Sequence, residues 1–185
     1  MTALVILTGH FFKGSVRTIK HGYFPVHSNT ELNYKIQHYS FDKYTISFAV
    51  PKTTEISVSP DKGKELQFST YLFNNDLGFR GYIQLWQIKD LEPFLSYSKS
   101  LSPFDFQSYE ISTIRTKEYH GFKIQWTADF AQKTISGEEY WLNVDKTKEV
   151  IRLSILADTA GFPETLQTHM QNILDSLHID TKSLI

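Results

Sequence analysis

Glu118, Tyr119 and His120 are adjacent in the sequence and are of types that bind metals or move protons. An imidazole titrates near neutral pH, and a neighbouring carboxylate can orient it or share a cation with it. Gly121 follows, so the spacing predicts a turn at Tyr119-His120-Gly121, with these side chains at a solvated hairpin tip. Glu138 and Glu139 form a second group. Two carboxylates can divide acid and base roles, but only inside a pocket. Directly after Gly137 they read instead as solvated charges at the start of a strand. Trp141 and Arg152 form a third group, set opposite each other by a four-residue hairpin loop, Asp145 to Lys148. Arranged so, they make a cation–π pair worth about 0.5–1 kcal/mol if exposed. Glu139, Asn143 and Asp145 share the face of Trp141. An aromatic in polar company either packs beneath a helix or marks a contact surface, since Trp and Arg are favoured interface anchors.

None of these groups completes a catalytic motif, so no catalytic residue, cofactor or metal ligand set is assigned. His21, His27 and His38 follow no metal-ligand spacing, and no carboxylate lies between the first two. The chain lacks the Gly-rich dinucleotide and phosphate-loop motifs, His-Glu-x-x-His and Gly-x-Ser-x-Gly. Gly78-Phe79-Arg80-Gly81 has the form of an RNA-clamping loop, but that loop joins two helices and this one precedes a strand. A hydrolase built from dispersed residues would need a pocket gathering His120 or another histidine with carboxylates of shifted pKa.

The elements that must position these residues are mostly strands. Tyr44, Ile46, Phe48 and Val50 alternate before Pro51, and Ile56, Val58, Leu66, Phe68 and Thr70 form a hairpin around Pro60-Asp61-Lys62-Gly63. Tyr82 to Ile88 is the next strand. Leu91, Phe94, Leu95, Ser98 and Leu101 then follow a 3.6-residue stripe, predicting a helix from Asp90 to Leu101 with Asp90 as its cap. Beyond Pro103, strands are expected at 107–118 and at Phe122 to Phe130. A three-residue turn would set Ile114 opposite Trp126. A last hairpin joins Glu139–Val144 to Glu149–Leu156, pairing Leu142 with Ile151 and Tyr140 with Leu153. A second helix begins near Pro163, with Leu166, Met170, Ile173, Leu174 and Leu177 as its apolar stripe. The class is therefore α+β, an antiparallel sheet flanked by helices.

Composition bounds the partners. At 185 residues, with 41% hydrophobic and 21% charged side chains, the chain is about one domain with a substantial core. Nineteen Lys and Arg against twenty Asp and Glu give a net charge of −1, which argues against a nucleic-acid binder that neutralises phosphates. That rival would act through the stretch Lys13 to Lys20. The absence of cysteine removes disulfides, thiolate metal sites and cysteine nucleophiles.

Residues 1–30 contain Lys13, Arg17 and Lys20 and no acidic residue, after the apolar run Ala3 to Leu7. That run is too short to span a bilayer, which takes about 20 apolar residues. It reads as the end of a truncated membrane anchor, as a buried strand or helix start, or as an interfacial segment. Pro25 to Thr30 reads as a linker. The expected organisation is thus an N-terminal segment, 1–40, followed by a single domain, 41–185.

Three stretches carry a family resemblance: Tyr44-Thr45-Ile46-Ser47-Phe48-Ala49-Val50-Pro51; the strand-rich middle with its inserted helix; and Val150-Ile151-Arg152-Leu153-Ser154-Ile155, Phe162 and Ile173 to Ile179. Together they resemble the PsbP-like family of α/β/α sandwiches. The Trp that family commonly places a few residues after the early Pro is absent from Pro51-Lys52-Thr53-Thr54-Glu55. The resemblance implies a non-catalytic accessory module without cofactor, docking on a protein partner or a membrane-associated complex. It also implies a membrane-associated or extracytoplasmic location. The alternative, with Leu4, Val5 and Ile6 adding a strand or packing against the body, leaves a cytoplasmic location open.

Overall fold

The computed structural model describes residues 33–59, 63–116, 118–144 and 147–181. Readings on residues 1–30, including Lys13, Arg17, Lys20, His21 and His27, lie outside the described residues, as does the turn at Pro60 to Lys62. The chain runs β1 (Tyr34–Phe41), β2 (Tyr44–Pro51), β3 (Glu55–Val58), β4 (Leu66–Asn74), β5 (Phe79–Gln87), α1 (Leu91–Ser100), β6 (Asp105–Arg115), β7 (Tyr119–Phe130), β8 (Lys133–Val144), β9 (Glu149–Ala157), α2 (Glu164–Ser176) and β10 (His178–Thr181). The strands make an antiparallel seven-stranded sheet, ordered β3-β4-β5-β9-β8-β7-β6, and a three-stranded sheet, β1-β2-β10.

The period-two pattern puts alternate residues of the large sheet into two cores. On one face, Phe68, Leu72, Ile83, Leu85, Leu142, Ile151 and Leu153 pack with Tyr44, Ile46, Phe48 and Val50 of β2 and with the α2 stripe. Leu166, Met170, Ile173, Leu174 and Leu177 are all buried there. On the other face, Trp126, Trp141, Ile124 and Val150 pack with Leu91 and Leu95 of α1. The layers are therefore α1, the large sheet, then α2 with the small sheet.

Pairing of the last hairpin is as expected, with Tyr140 opposite Leu153, Trp141 opposite Arg152 and Leu142 opposite Ile151. Other expectations need correction. β6 and β7 pair Ile114 with Gly121 and Tyr109 with Trp126, not Ile114 with Trp126. The chain reverses earlier because the Thr116 hydroxyl accepts from the Tyr119 amide at 2.9 Å, closing the turn before His120. Gly121 sits within the strand, where a Cβ would stand 2.0 Å from the Trp141 carbonyl oxygen. Glycine is needed there for close approach, not for a turn.

β8 begins at Lys133 rather than at Glu139. Ala131 and Gln132 reverse the chain with φ of 49° and 64°, a two-residue hairpin turn made without glycine or asparagine. Glu138 and Glu139 consequently lie within a strand, 1% and 8% exposed, and are not solvated strand-end charges. Asp90 occupies the N-cap of α1 but makes no capping bond through its side chain. β1 and β10 are strands that the period-two reading does not supply. β1 begins at Tyr34, within the segment 1–40.

Candidate functional site

The side of the large sheet that carries α1 holds a cavity of about 160 Å³. Its floor comes from alternate residues of neighbouring strands: Trp86 of β5, Arg152 of β9, Glu139 and Trp141 of β8, Trp126 of β7 and Tyr109 of β6. Phe94 and Ser98 of α1 line it as well, together with Phe104 of the segment that follows.

Two aromatic groups divide this lining. Trp86, Phe94 and Trp141 have ring centroids 5.6–6.2 Å apart. Phe104 and Phe106 lie 5.1 and 5.7 Å from Trp126. Glu139 joins the groups: its Oε1 accepts from Trp126 Nε1 at 3.1 Å, and its Oε2 accepts from Trp141 Nε1 at 3.1 Å and Arg152 Nε at 2.9 Å. The Arg152 guanidinium lies 4.9 Å from the Trp141 ring centroid and donates to Gln84 Oε1 at 3.3 Å. Trp86 Nε1 donates to the same oxygen at 3.1 Å. All three tryptophans of the chain thus hang on two acceptors bridged by one arginine. A buried carboxylate is tolerated when its lone pairs are met in this way. Burial pushes the Tyr109 hydroxyl up to about 12, with the Glu139 charge adding to the rise and Arg152 opposing it. Burial likewise raises Tyr82.

Trp141 and Arg152 therefore meet as expected, but Trp141 is only 3% exposed and packs beneath Phe94 of α1. Glu118, Tyr119 and His120 do not converge. The Glu118 carboxylate lies 3.4 Å from His178 Nδ1, across to β10. Tyr119 is buried in the α2-side core and donates to the Leu177 carbonyl at 3.2 Å. The His120 side chain is exposed, opposite Arg115. Among the described residues, no three His, Asp or Glu side chains gather where they could hold a metal ion.

Sequence reasoning missed Glu139 as the organiser of the cavity. The available signal was its i, i+2 spacing from Trp141, which puts both on one face of a strand. Glu138 points to the opposite face, where it accepts from Gln125 and Tyr140 and pairs with Lys123 at 3.0 Å.

No family model and no curated protein matches the sequence. Among solved structures, the chain is similar to the solution structure of cyanobacterial PsbP from Synechocystis, with 8% identity and a TM-score of 0.49, over 86% of this chain and 100% of that one.

Proposed function

We propose that this protein is a non-catalytic binding module that docks on a protein partner through the α1 side of its large sheet. One observation carries the reading. Of the six exposed large hydrophobic side chains among the described residues, Phe73, Tyr97, Leu101, Ile111 and Phe130 belong to that side, and only Ile36 belongs to the small sheet. The sides follow from strand alternation. Phe73 adjoins inward Leu72, Ile111 lies two residues from Tyr109, and Phe130 packs on Phe104 at 5.2 Å. Tyr97 and Leu101 stand at the C-terminal end of α1. Tyr97, Leu101, Ile111 and Phe130 lie toward the β6–β7 end of that side and Phe73 lies toward β4; exposed apolar patches mark interaction surfaces, and aromatic groups are favoured in them. β6 forms one edge of the sheet, and among the described residues no further strand pairs with its outer backbone groups.

No observation favours the hydrolase reading. The cavity residues that could act as acid or base include no histidine, and Glu139 is fully engaged. The location proposed with this reading is membrane-associated or extracytoplasmic, since an apolar stretch, Ala3 to Leu7, followed by Lys13, Arg17 and Lys20 suits a membrane surface. No helix among the described residues is long and apolar enough to cross a membrane.

The test is a photo-reactive phenylalanine analogue placed at Ile111 or Ile36 of the full chain and irradiated in cells. The expected result is a discrete adduct from position 111, lost on Leu101→Asp and not formed from position 36. Adducts of equal pattern from both positions, or none from 111, overturn it.

A further inference from the structure

We propose that the cavity beneath α1 binds a small aromatic acid, a single ring bearing a carboxylate, with the ring among the tryptophans and Phe94 and the carboxylate on Arg152. The inference is independent of the docking reading, because it concerns the purified chain alone.

Size limits the ligand first. An apolar cavity of about 150 Å³ admits benzene, so about 160 Å³ suits one ring with a small substituent. Chemistry limits it next. Trp86, Phe94, Phe104, Trp126 and Trp141 offer ring faces and edges suited to stacking. Two cations, Lys99 and Arg152, line the space against one carboxylate, Glu139. Glu139 already accepts from two indoles and a guanidinium, so it has little left to offer a ligand cation.

Arg152 is only partly spent. Nε serves Glu139 and Nη1 serves Gln84, while Nη2 has no hydrogen-bond partner among the described residues. A guanidinium edge left in this state suits a carboxylate. Tyr82 and Tyr109 also line the cavity, and their hydroxyls make no hydrogen bond among the described residues. Both remain protonated at neutral pH and are available as donors to an anion. A neutral ring would leave these donors unused, and a cationic one would face Lys99 and Arg152.

The experiment titrates the purified full chain with benzoate, benzyl alcohol and benzylamine, following intrinsic fluorescence. The readout is local, since all three tryptophans line the cavity. Benzoate is expected to saturate with a Kd of about 1 mM or tighter, with the other two at least about tenfold weaker. Arg152→Met should weaken benzoate about tenfold and remove its preference over benzyl alcohol. Because that variant unpairs Glu139, Ser98→Phe provides a second test: Ser98 lines the cavity yet is itself exposed, so a larger side chain there fills the cavity and should abolish the benzoate response with the melting temperature kept. Absence of a saturable benzoate response, benzylamine binding as tightly, or full binding by folded Ser98→Phe would each overturn the proposal.

Discussion

The Glu139 carboxylate and the Arg152 guanidinium meet at 2.9 Å across two neighbouring strands, and that contact ties the two aromatic groups beneath α1 into one network. A partly buried ion pair of this kind need not exceed its desolvation cost, but breaking it on one side leaves a charge uncompensated. The pair thus fixes the arrangement of the tryptophans more than it adds net stability.

Replacing Glu139 by Leu should therefore destabilise the fold by about 2–4 kcal/mol, below the top of the range because Arg152 keeps a quarter of its side chain in water. Adding Arg152→Met should recover at least about 1 kcal/mol of that loss, because no unpaired charge then remains. Urea melts of the two single variants and the double variant check this. Strictly additive losses would show that the two residues act separately.

Gly137 offers a steric test of the same network. A Cβ at that position would stand 2.4 Å from Trp126 Cζ2 and 2.5 Å from Cε2, atoms of a rigid buried ring. Gly137→Ala should cost about 1–3 kcal/mol and shift tryptophan emission, since Trp126 must move. An unchanged melt with unchanged emission would place the ring elsewhere.

The turn between β7 and β8 should accept improvement. Gln132 holds φ at 64°, a left-handed conformation costing a non-glycine residue about 1–2 kcal/mol. Ala131→Asn with Gln132→Gly should raise the melting temperature by about 2–4 °C. A lower melting temperature would mean that the turn has another geometry.

His169 gives the stability a pH dependence. Its Nδ1 lies in hydrogen-bond contact with Tyr34 Oη at 2.6 Å while Asn172 donates to the same hydroxyl at 2.9 Å, and burial holds its pKa below the ordinary 6.5. The unfolded chain therefore takes up a proton first as pH falls. The contribution is complete above pH 6.5 and is lost as pH falls through the lower folded value. Wild type should lose stability below pH 6.5 more steeply than His169→Gln, measured by denaturant melts at stepped pH. Parallel profiles would contradict it.

Much of the fold was legible because apolar residues alternate with polar or small ones in β2 and β7 and a 3.6-residue stripe survives in α1 and α2. The last hairpin was legible to the residue because its loop length fixes its register. The β6–β7 register was not, because Gly121 advertises a turn while a threonine side chain makes it. Nor was the start of β8, since Ala131 and Gln132 carry no turn signal in their side chains. The site was half legible. Trp141 and Arg152 follow from register, whereas Glu139 was misread because a carboxylate on a strand is usually solvated. Only packing against two indoles from separate strands makes its burial tolerable.

The most direct measurement of the docking claim is the affinity of the purified chain for the protein captured at position 111. Leu101→Asp with Ile111→Asp should weaken that affinity at least about tenfold, whereas Ile36→Asp on the small sheet should leave it unchanged. Equal affinity for all three chains, or weakening by Ile36→Asp alone, would contradict an interface on the α1 side.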